Sequence, residues 1–400
     1  MLTRNRRLLL FSALYFAQGT ILSYFLTFNI LYLRENGYSP EEVGIFQGVL
    51  VLPFVLKIFL GMLSDGVNLF GLGHRKPYII IGLLGQVFAL IIVSFVSVSE
   101  GLGLYAAMAF IASTSMALYD TCTDGLALDS TPQNERGIVQ GVMVGGRASG
   151  ILLMLLLGGF IAETFGWEFV FFTISFFAIL PLFLVLPLQE DPRQMHREPF
   201  RWSAFKSFKN SAVLFLAAVG FIASLALEGV LPFLSDHLKN VMAVSLGNIG
   251  VLVALSMVGR IIGGLSNSWV TDRIGHRQSL FVAVALTSLG CLGLALGSSV
   301  AWVAFMGFLF GLAYGYFTAV YAAVSMDLSD PRISASMFAI FMMFVNLGTV
   351  GGQMLGGILT ERTGFGTMVI MMGAINLINI FMVFALFSRR AGAPAYQTNK

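Results

Sequence analysis

The sequence predicts an all-α membrane protein: twelve transmembrane helices in two six-helix bundles related by duplication. Composition, the spacing of the apolar runs and an internal repeat predict it. Of 400 residues, 57% are hydrophobic and 11% charged, and mean hydropathy is +0.85. A soluble domain of this length could not cover so much apolar surface with so few charges. Runs of roughly 20 apolar residues, the length that crosses a bilayer core as a helix, recur from one end to the other. Period-two alternation is weak, which argues against a β-barrel.

The first run, Leu8–Leu33, is too long for the apolar core of a signal peptide and lacks a clear cleavage site, so it is expected to be span one. Val43–Leu63 (with Lys57) and Tyr78–Ser97 follow as spans two and three. Span four, Leu102–Leu128, carries Asp120 and Asp124; span five, Ile138–Ile161, carries Arg147; span six is Phe169–Leu188. The segment Gln189–Asn210 is the one long polar interruption, with Arg193, His196, Arg197, Arg201, Lys206 and Lys209. It divides the chain into residues 1–188, a linker of 189–210, and 211–400. Spans seven to nine are Ala212–Leu234 (with Glu228), Leu246–Val270 (with Arg260) and Leu280–Leu296. Spans ten to twelve are Ala301–Met326, Ala335–Leu359 and Thr367–Phe387. Cys122 and Cys291 lie in different spans and read as small apolar core residues.

Basic residues predict the orientation. With the amino terminus in the cytoplasm, 17 of the 23 Lys and Arg residues fall on cytoplasmic segments, and only Arg34, Lys239 and Arg362 on outside loops. Both termini are therefore expected in the cytoplasm, in a bacterial inner membrane. The net charge of +3 reports this topology. The basic residues are scattered over short loops, so no nucleic-acid partner is expected.

The halves repeat. Gly158-Gly159 followed by Glu163 matches Gly356-Gly357 followed by Glu361, 198 positions later, and Asp129-Ser-Thr-Pro answers Asp327-Leu-Ser-Asp-Pro at the same offset. Between spans two and three, Asp65 is followed by Arg75 and Lys76; between spans eight and nine, Asp272-Arg273 is followed by Arg277, at an offset of 207. A carboxylate in such a loop can bond helix N-terminal amides and a neighbouring guanidinium, as a gate between conformations or as a static clamp.

Twelve spans, a 6+6 duplication and this loop in both halves resemble the major facilitator superfamily. The second loop, Ser268-Trp-Val-Thr-Asp272-Arg273-Ile-Gly275-His276-Arg277, is close to the family's loop motif, with Ser268 where glycine is usual. The first copy carries an insertion, Asn68–Gly73, before His74-Arg75-Lys76-Pro77-Tyr78. That form is similar to loops in muropeptide permeases of the AmpG type, in the bacteriochlorophyll transporter group and in sugar–cation symporters. Asp120-xxx-Asp124, then Glu135-Arg136-Gly137 and Arg147, also resembles the muropeptide permeases. Ala127-Leu128-Asp129 stands where that group often has a basic residue. Gly141-xxx-Gly145-Gly146-Arg147-Ala-Ser-Gly150 resembles the family's antiporter motif without its proline, and reads as close helix packing. The resemblance implies two bundles rocking about a central site. It also implies that spans three, six, nine and twelve face lipid; their interiors hold no Asp, Glu, Lys or Arg.

Charges inside spans are therefore the candidates for function, since each costs about 2.5–3.5 kcal/mol on insertion scales. Asp120 and Asp124 share one helix face, and two carboxylates so close resist carrying two charges, which suits a proton carrier. Asp120 is about 13 Å in from the end of span four, at 1.5 Å per residue, with Arg147 at similar depth and Lys57 about one turn nearer the cytoplasm. Two readings stand: a site for substrate or protons, or a self-neutralising ion-pair network. Glu228 is a further candidate for substrate or protons, and Arg260 reads as structural. Tyr15, Gln18, Tyr24, Asn29, Tyr314, Tyr316 and Tyr321 are placed to line a cavity or to pack. Asp120, Asp124 and Arg147 have Thr318, Ala322 and Val345 at the repeat offset, so these charges do not recur in the second half.

The leading function is a secondary transporter, a proton-coupled symporter of a small polar or amphipathic organic solute, with sodium open as the alternative coupling ion. Membrane assembly or pigment handling on the same scaffold, and proton-driven efflux, are the alternatives. No Walker motif or nucleophile elbow is present, so no enzyme and no cofactor are expected. A monomer is expected, with the lipid bilayer and a small molecule as its partners.

Overall fold

A computed structural model describes residues 3–96, 98, 102–132, 135–190, 202–329 and 334–390. Arg193, His196, Arg197 and Arg201 of the linker, and Asp330-Pro331 of the repeated loop, lie outside the described residues.

Among the described residues, twelve helices, each long and apolar enough to cross a membrane, run up and down in two six-helix bundles. The first bundle contains α1 (Arg4–Glu35), α2 (Pro40–Gly66), α3 (Lys76–Val93), α4 (Leu102–Ser130), α5 (Arg136–Phe165) and α6 (Trp167–Val185). The second opens with α7 (Ser211–Asn240). One helical run, Leu246–Ala295, then turns at Gly275, whose φ of +78° favours glycine; its arms 246–274 and 276–295 are α8 and α9. The second loop motif is thus a one-residue corner, and the helix after it starts earlier than hydropathy predicts. The bundle closes with α10 (Val300–Leu328), α11 (Ser336–Thr363) and α12 (Phe365–Ser388). The face bearing the start of α1 and the end of α12 is termed the terminal face, and its opposite the far face.

Helix starts follow local chemistry. At α2, Ser39 and Glu42 exchange side-chain and backbone hydrogen bonds in a capping box, with Pro40 at the first helical position. Asn210, Ser245 and Ser299 cap α7, α8 and α10. The duplication reappears in the backbone: Gly166 (φ +96°) and Gly364 (φ +81°), 198 residues apart, make the α5–α6 and α11–α12 corners.

Two irregularities shape the site. Pro53 lacks an N–H, and α2 breaks at Leu56, directly before Lys57. The Asn346 side chain of α11 donates to the Phe54 carbonyl beside the break at 3.0 Å. In α1, Tyr24–Phe28 form a π-helical turn, and the Gln47 amide donates to the Phe25 carbonyl within it. Around that turn Asn29 donates to Gln47 at 2.6 Å and accepts from Tyr24 and Tyr105. Tyr24 and Asn29 are therefore core network residues of the first bundle. Tyr316, which shares a hydrogen bond with Ser279, and Tyr321, packed on Gly220, are likewise core.

Between bundles, α2 packs on α11, α5 on α8 and the end of α1 on α7. The repeated glycine pairs make these contacts. Gly158 abuts Phe28 of α1 and Gly356 abuts Gly229 of α7, each inside its own bundle. Gly159 abuts Leu246 and Gly247 of α8, and Gly357 abuts Pro40 and Gly44 of α2, each across the interface. A side chain at either position would meet backbone, so close approach requires glycine there.

Candidate functional site

The first bundle gathers the charges inside spans two, four and five into one cluster contributed by four helices. Lys57 is ion-paired to Asp120 and lies 3.6 Å from Asp124. Arg147 Nη2 is 3.5 Å from the other Asp120 oxygen, its Nε donates to Gln18 at 2.7 Å, and its guanidinium lies 4.7 Å over the Tyr15 ring. The Tyr15 hydroxyl donates to Asp124. Asp120 and Arg147, at similar depth in their helices, meet, and Lys57 joins them from the end of the α2 break. Accessibility divides the carboxylates: the Asp120 side chain is 4% exposed, that of Asp124 43%. Close helix approach makes the cluster possible. Gly146 and Gly150 of α5 press on the Ser12 and Phe16 carbonyls of α1, and Gly19 presses on the Arg147 carbonyl; Gly141 and Gly145 meet nothing.

A second cluster occupies the other bundle. The Tyr314 hydroxyl of α10 donates to Glu228 of α7, and the Arg260 guanidinium of α8 lies 3.7 Å over the Tyr314 ring. Glu228 and Arg260 make no direct ion pair; Tyr314 stands between them. Gly315 presses on the Arg260 carbonyl, as Gly19 does on that of Arg147.

The two clusters correspond. Each half consists of two three-helix units, α1–α3 and α4–α6, then α7–α9 and α10–α12. In the first half the tyrosine and glycine come from α1, the carboxylate (Asp124) from α4 and the arginine from α5. In the second they come from α10, α7 and α8. Exchanging the two three-helix units of one half superimposes these roles. A comparison at a fixed sequence offset therefore misses the recurrence, because it aligns α4 with α10 and α5 with α11.

The loop residues other than Asp272 are engaged within their own halves. Asp65 pairs with Arg75, whose Nε lies 3.4 Å from Asp129. Arg75 is held cationic: burial acts against its charge, but Asp65 and then Asp129 outweigh that and raise its pKa above the usual arginine value. Glu190 accepts from the His74 and Arg75 amides at 2.8 Å and from that of Lys76, capping α3, and the Lys76 ammonium donates to the Leu186 and Leu188 carbonyls. In the second copy Asp272 is exposed and makes no ion pair among the described residues. Arg273 and Arg277 lie over the Trp269 and Phe384 rings, and His276 sits 3.0 Å from Asp327. The repeated Asp129 and Asp327 thus each meet a basic loop residue.

One set of residues had no functional reading in the sequence. Arg34, Lys239 and Arg362 all bridge the bundles at the far face, to Asp236 (2.6 Å), Glu35 (3.0 Å) and Glu41 (3.9 Å). Glu361 accepts from the Glu41 amide at 2.9 Å. Among the described residues, no ion pair joins the bundles at the terminal face.

Known proteins share this architecture. The model of the Major Facilitator Superfamily matches residues 8–238 and 216–400. The multidrug resistance protein MdtG of Dickeya zeae is 23% identical over 94% of this chain and 93% of its own. A folate-biopterin transporter of Synechocystis sp. is 24% identical over 97% of this chain and 82% of its own. The crystal structure of the nucleoside transporter NupG (D323A mutant) superimposes with a TM-score of 0.81 at 15% identity, covering 95% of this chain and all of that one. A bacterial homologue of the human lysosomal transporter Spinster, inward-facing and unoccupied, gives 0.75 at 16%, covering 98% of each chain. With twelve apolar helices in two six-helix bundles and a family match across both halves, this chain is an integral membrane protein belonging to the Major Facilitator Superfamily.

Proposed function

We propose that this chain is a proton-coupled symporter that moves a small polar or amphipathic organic solute by alternating access. The observation that carries the reading is the four-helix cluster of Lys57, Asp120, Asp124, Arg147 and Tyr15. Charges inside a membrane are costly and mark ion or substrate pathways and proton relays. Asp120, bracketed by two cations, positions Lys57 and Arg147. Asp124, more accessible and held by Tyr15, exchanges the proton. Residues 1–188 and 211–400 are the moving bodies and 189–210 their linker. Both termini face the cytoplasm of an inner membrane, and the chain works as a monomer. On that orientation the ion pairs at the far face close the outside, and the site opens inward. Asp65, Arg75, Lys76, Asp272, Arg273 and Arg277 then brace the cytoplasmic ends of the two bodies as they separate.

Proteoliposome uptake tests this. A solute identified by thermal-shift screening should accumulate with an inward proton gradient and lose accumulation with a protonophore. Accumulation that ignores the proton gradient and follows sodium overturns proton coupling. The name of the MdtG relative favours one second reading, proton-driven efflux. It predicts accumulation driven by the opposite gradient.

A further inference from the structure

The second cluster repeats the tyrosine, one carboxylate and the arginine of the first but, among the described residues, has no counterpart of Lys57 or Asp120, and the missing acid bears on the solute. Lys57 and Arg147 both have carboxylate partners. Arg260 has the Tyr314 ring and, among the described residues, no carboxylate within ion-pair distance. It lies about 21 Å from Leu246, the far-face end of α8, at 1.5 Å per residue, well inside the membrane. In the first bundle the acid that meets the stacked arginine is Asp120, four residues before Asp124. Four residues before Glu228, the corresponding position holds Ser224, which is buried. The second cluster thus repeats the tyrosine, the carboxylate, the arginine and the glycine of the first, and lacks the counter-ion.

We infer that the solute supplies it: this site binds an organic oxyanion, carboxylate or phosphate, whose oxygens take the place beside Arg260 that Asp120 holds beside Arg147. A guanidinium presents paired N–H donors that match either group. The charge balance fits the transport reading, on which the inference rests. Lys57, Arg147 and Arg260 oppose Asp120, Asp124 and Glu228. With one proton on Asp124 the six groups carry a net +1, which a carboxylate neutralises and a phosphate monoester more than offsets, so proton and anion favour each other's binding.

The test is binding to the purified full chain, read by thermal shift with matched probes. 4-Aminobenzoate is set against 4-aminobenzamide, N-acetylmuramate against N-acetylglucosamine, and adenosine 5′-monophosphate against adenosine. At least one anion should stabilise the protein saturably, and its neutral partner should bind at least tenfold more weakly. The first two pairs report a carboxylate and the third a phosphate. Arg260→Gln should weaken that anion at least tenfold without lowering the ligand-free Tm, and Arg260→Lys should retain part of the affinity. Ser224→Asp, which supplies the missing counter-ion, should also abolish anion binding. Neutral partners binding equally well, no anion binding at all, or an anion bound with unchanged affinity by Arg260→Gln would each overturn the inference. A fall in ligand-free Tm in Arg260→Gln together with wild-type anion affinity in Arg260→Lys and Ser224→Asp would do the same. An anion bound through Arg260 but not accumulated under a proton gradient supports the inference and sinks proton coupling. A solute accumulated independently of Arg260 does the reverse.

Discussion

Arg34 at the end of α1 donates to Asp236 at the end of α7 at 2.6 Å, tying the two bundles together across the far face. Lys239 to Glu35 and Arg362 to Glu41 repeat the tie. The Lys239 and Arg362 pairs are partly exposed and contribute about 0.2–1 kcal/mol each, so removing one should shift the balance between conformers by at most about fivefold. Asp236 is buried, so removing Arg34 should shift the balance further. Spin labels at Gly37 and Asn240 report the separation. Arg34→Ala combined with Lys239→Ala should populate longer distances, and an unchanged distribution would refute a gating role.

The two carboxylates of α4 should respond differently to neutralisation. Asp120→Asn leaves Lys57 and Arg147 without their shared buried anion, a loss of about 3–5 kcal/mol by analogy with broken buried pairs. Asp124→Asn removes a more accessible group and should cost about 1 kcal/mol or less. Both should lose proton-driven accumulation. Denaturation in detergent separates them, and equal stability losses would contradict the assigned division.

Glycines that meet backbone should not tolerate bulk. Gly150→Leu would drive α5 from α1 and separate Arg147 from Gln18 and Tyr15, at a cost of about 1–3 kcal/mol or more. Gly145→Leu, in open space, is the control and should leave Tm nearly unchanged. Gly159→Leu and Gly357→Leu act across the interface instead. Their expected signature is longer distances between the far-face labels, with each bundle intact. A Gly145→Leu variant as unstable as Gly150→Leu would contradict this reading of the packing.

Asn29 is the hub of a buried network with Tyr24, Tyr105 and Gln47. Asn29→Leu strands the Gln47 Oε1 and one hydroxyl proton of Tyr24 and Tyr105, which still bond each other at 2.7 Å, and each unsatisfied group costs about 1–3 kcal/mol. A large fall in Tm is expected. Near-normal solute affinity in whatever folds would confirm that Asn29 is not a ligand contact, and a selective loss of affinity at unchanged Tm would contradict it.

The twelve helices were legible because hydropathy over about 20 residues is a local property, and the helix ends agree within a few residues at most positions. The largest departure is the end of the seventh, which runs to Asn240, six residues past Leu234, because polar residues near an interface can continue a helix; the ninth starts at the Gly275 corner, four residues before Leu280. In the site, Asp120, Asp124, Arg147 and Lys57 were legible because charge in an apolar run is conspicuous. Tyr15 and Gln18 were indistinguishable in sequence from Tyr24 and Asn29, since all four recur on α1 amid apolar residues. Only packing separates the charged cluster from the core network.

By itself, the sequence determined the class, the twelve spans, the duplication and the first-bundle charges, because these follow from composition, local hydropathy and linear repetition. Tertiary structure decided what those charges touch. It also decided that Arg34, Lys239 and Arg362 bind the opposite bundle, and that Tyr314 and Arg260 mirror Tyr15 and Arg147. The reason is topological. The correspondence runs through exchanged three-helix units of opposite orientation, so equivalent residues share neither an offset nor a helix number. Only chain folding brings α1 to α5, and α10 to α8, closely enough for a glycine to meet an arginine carbonyl.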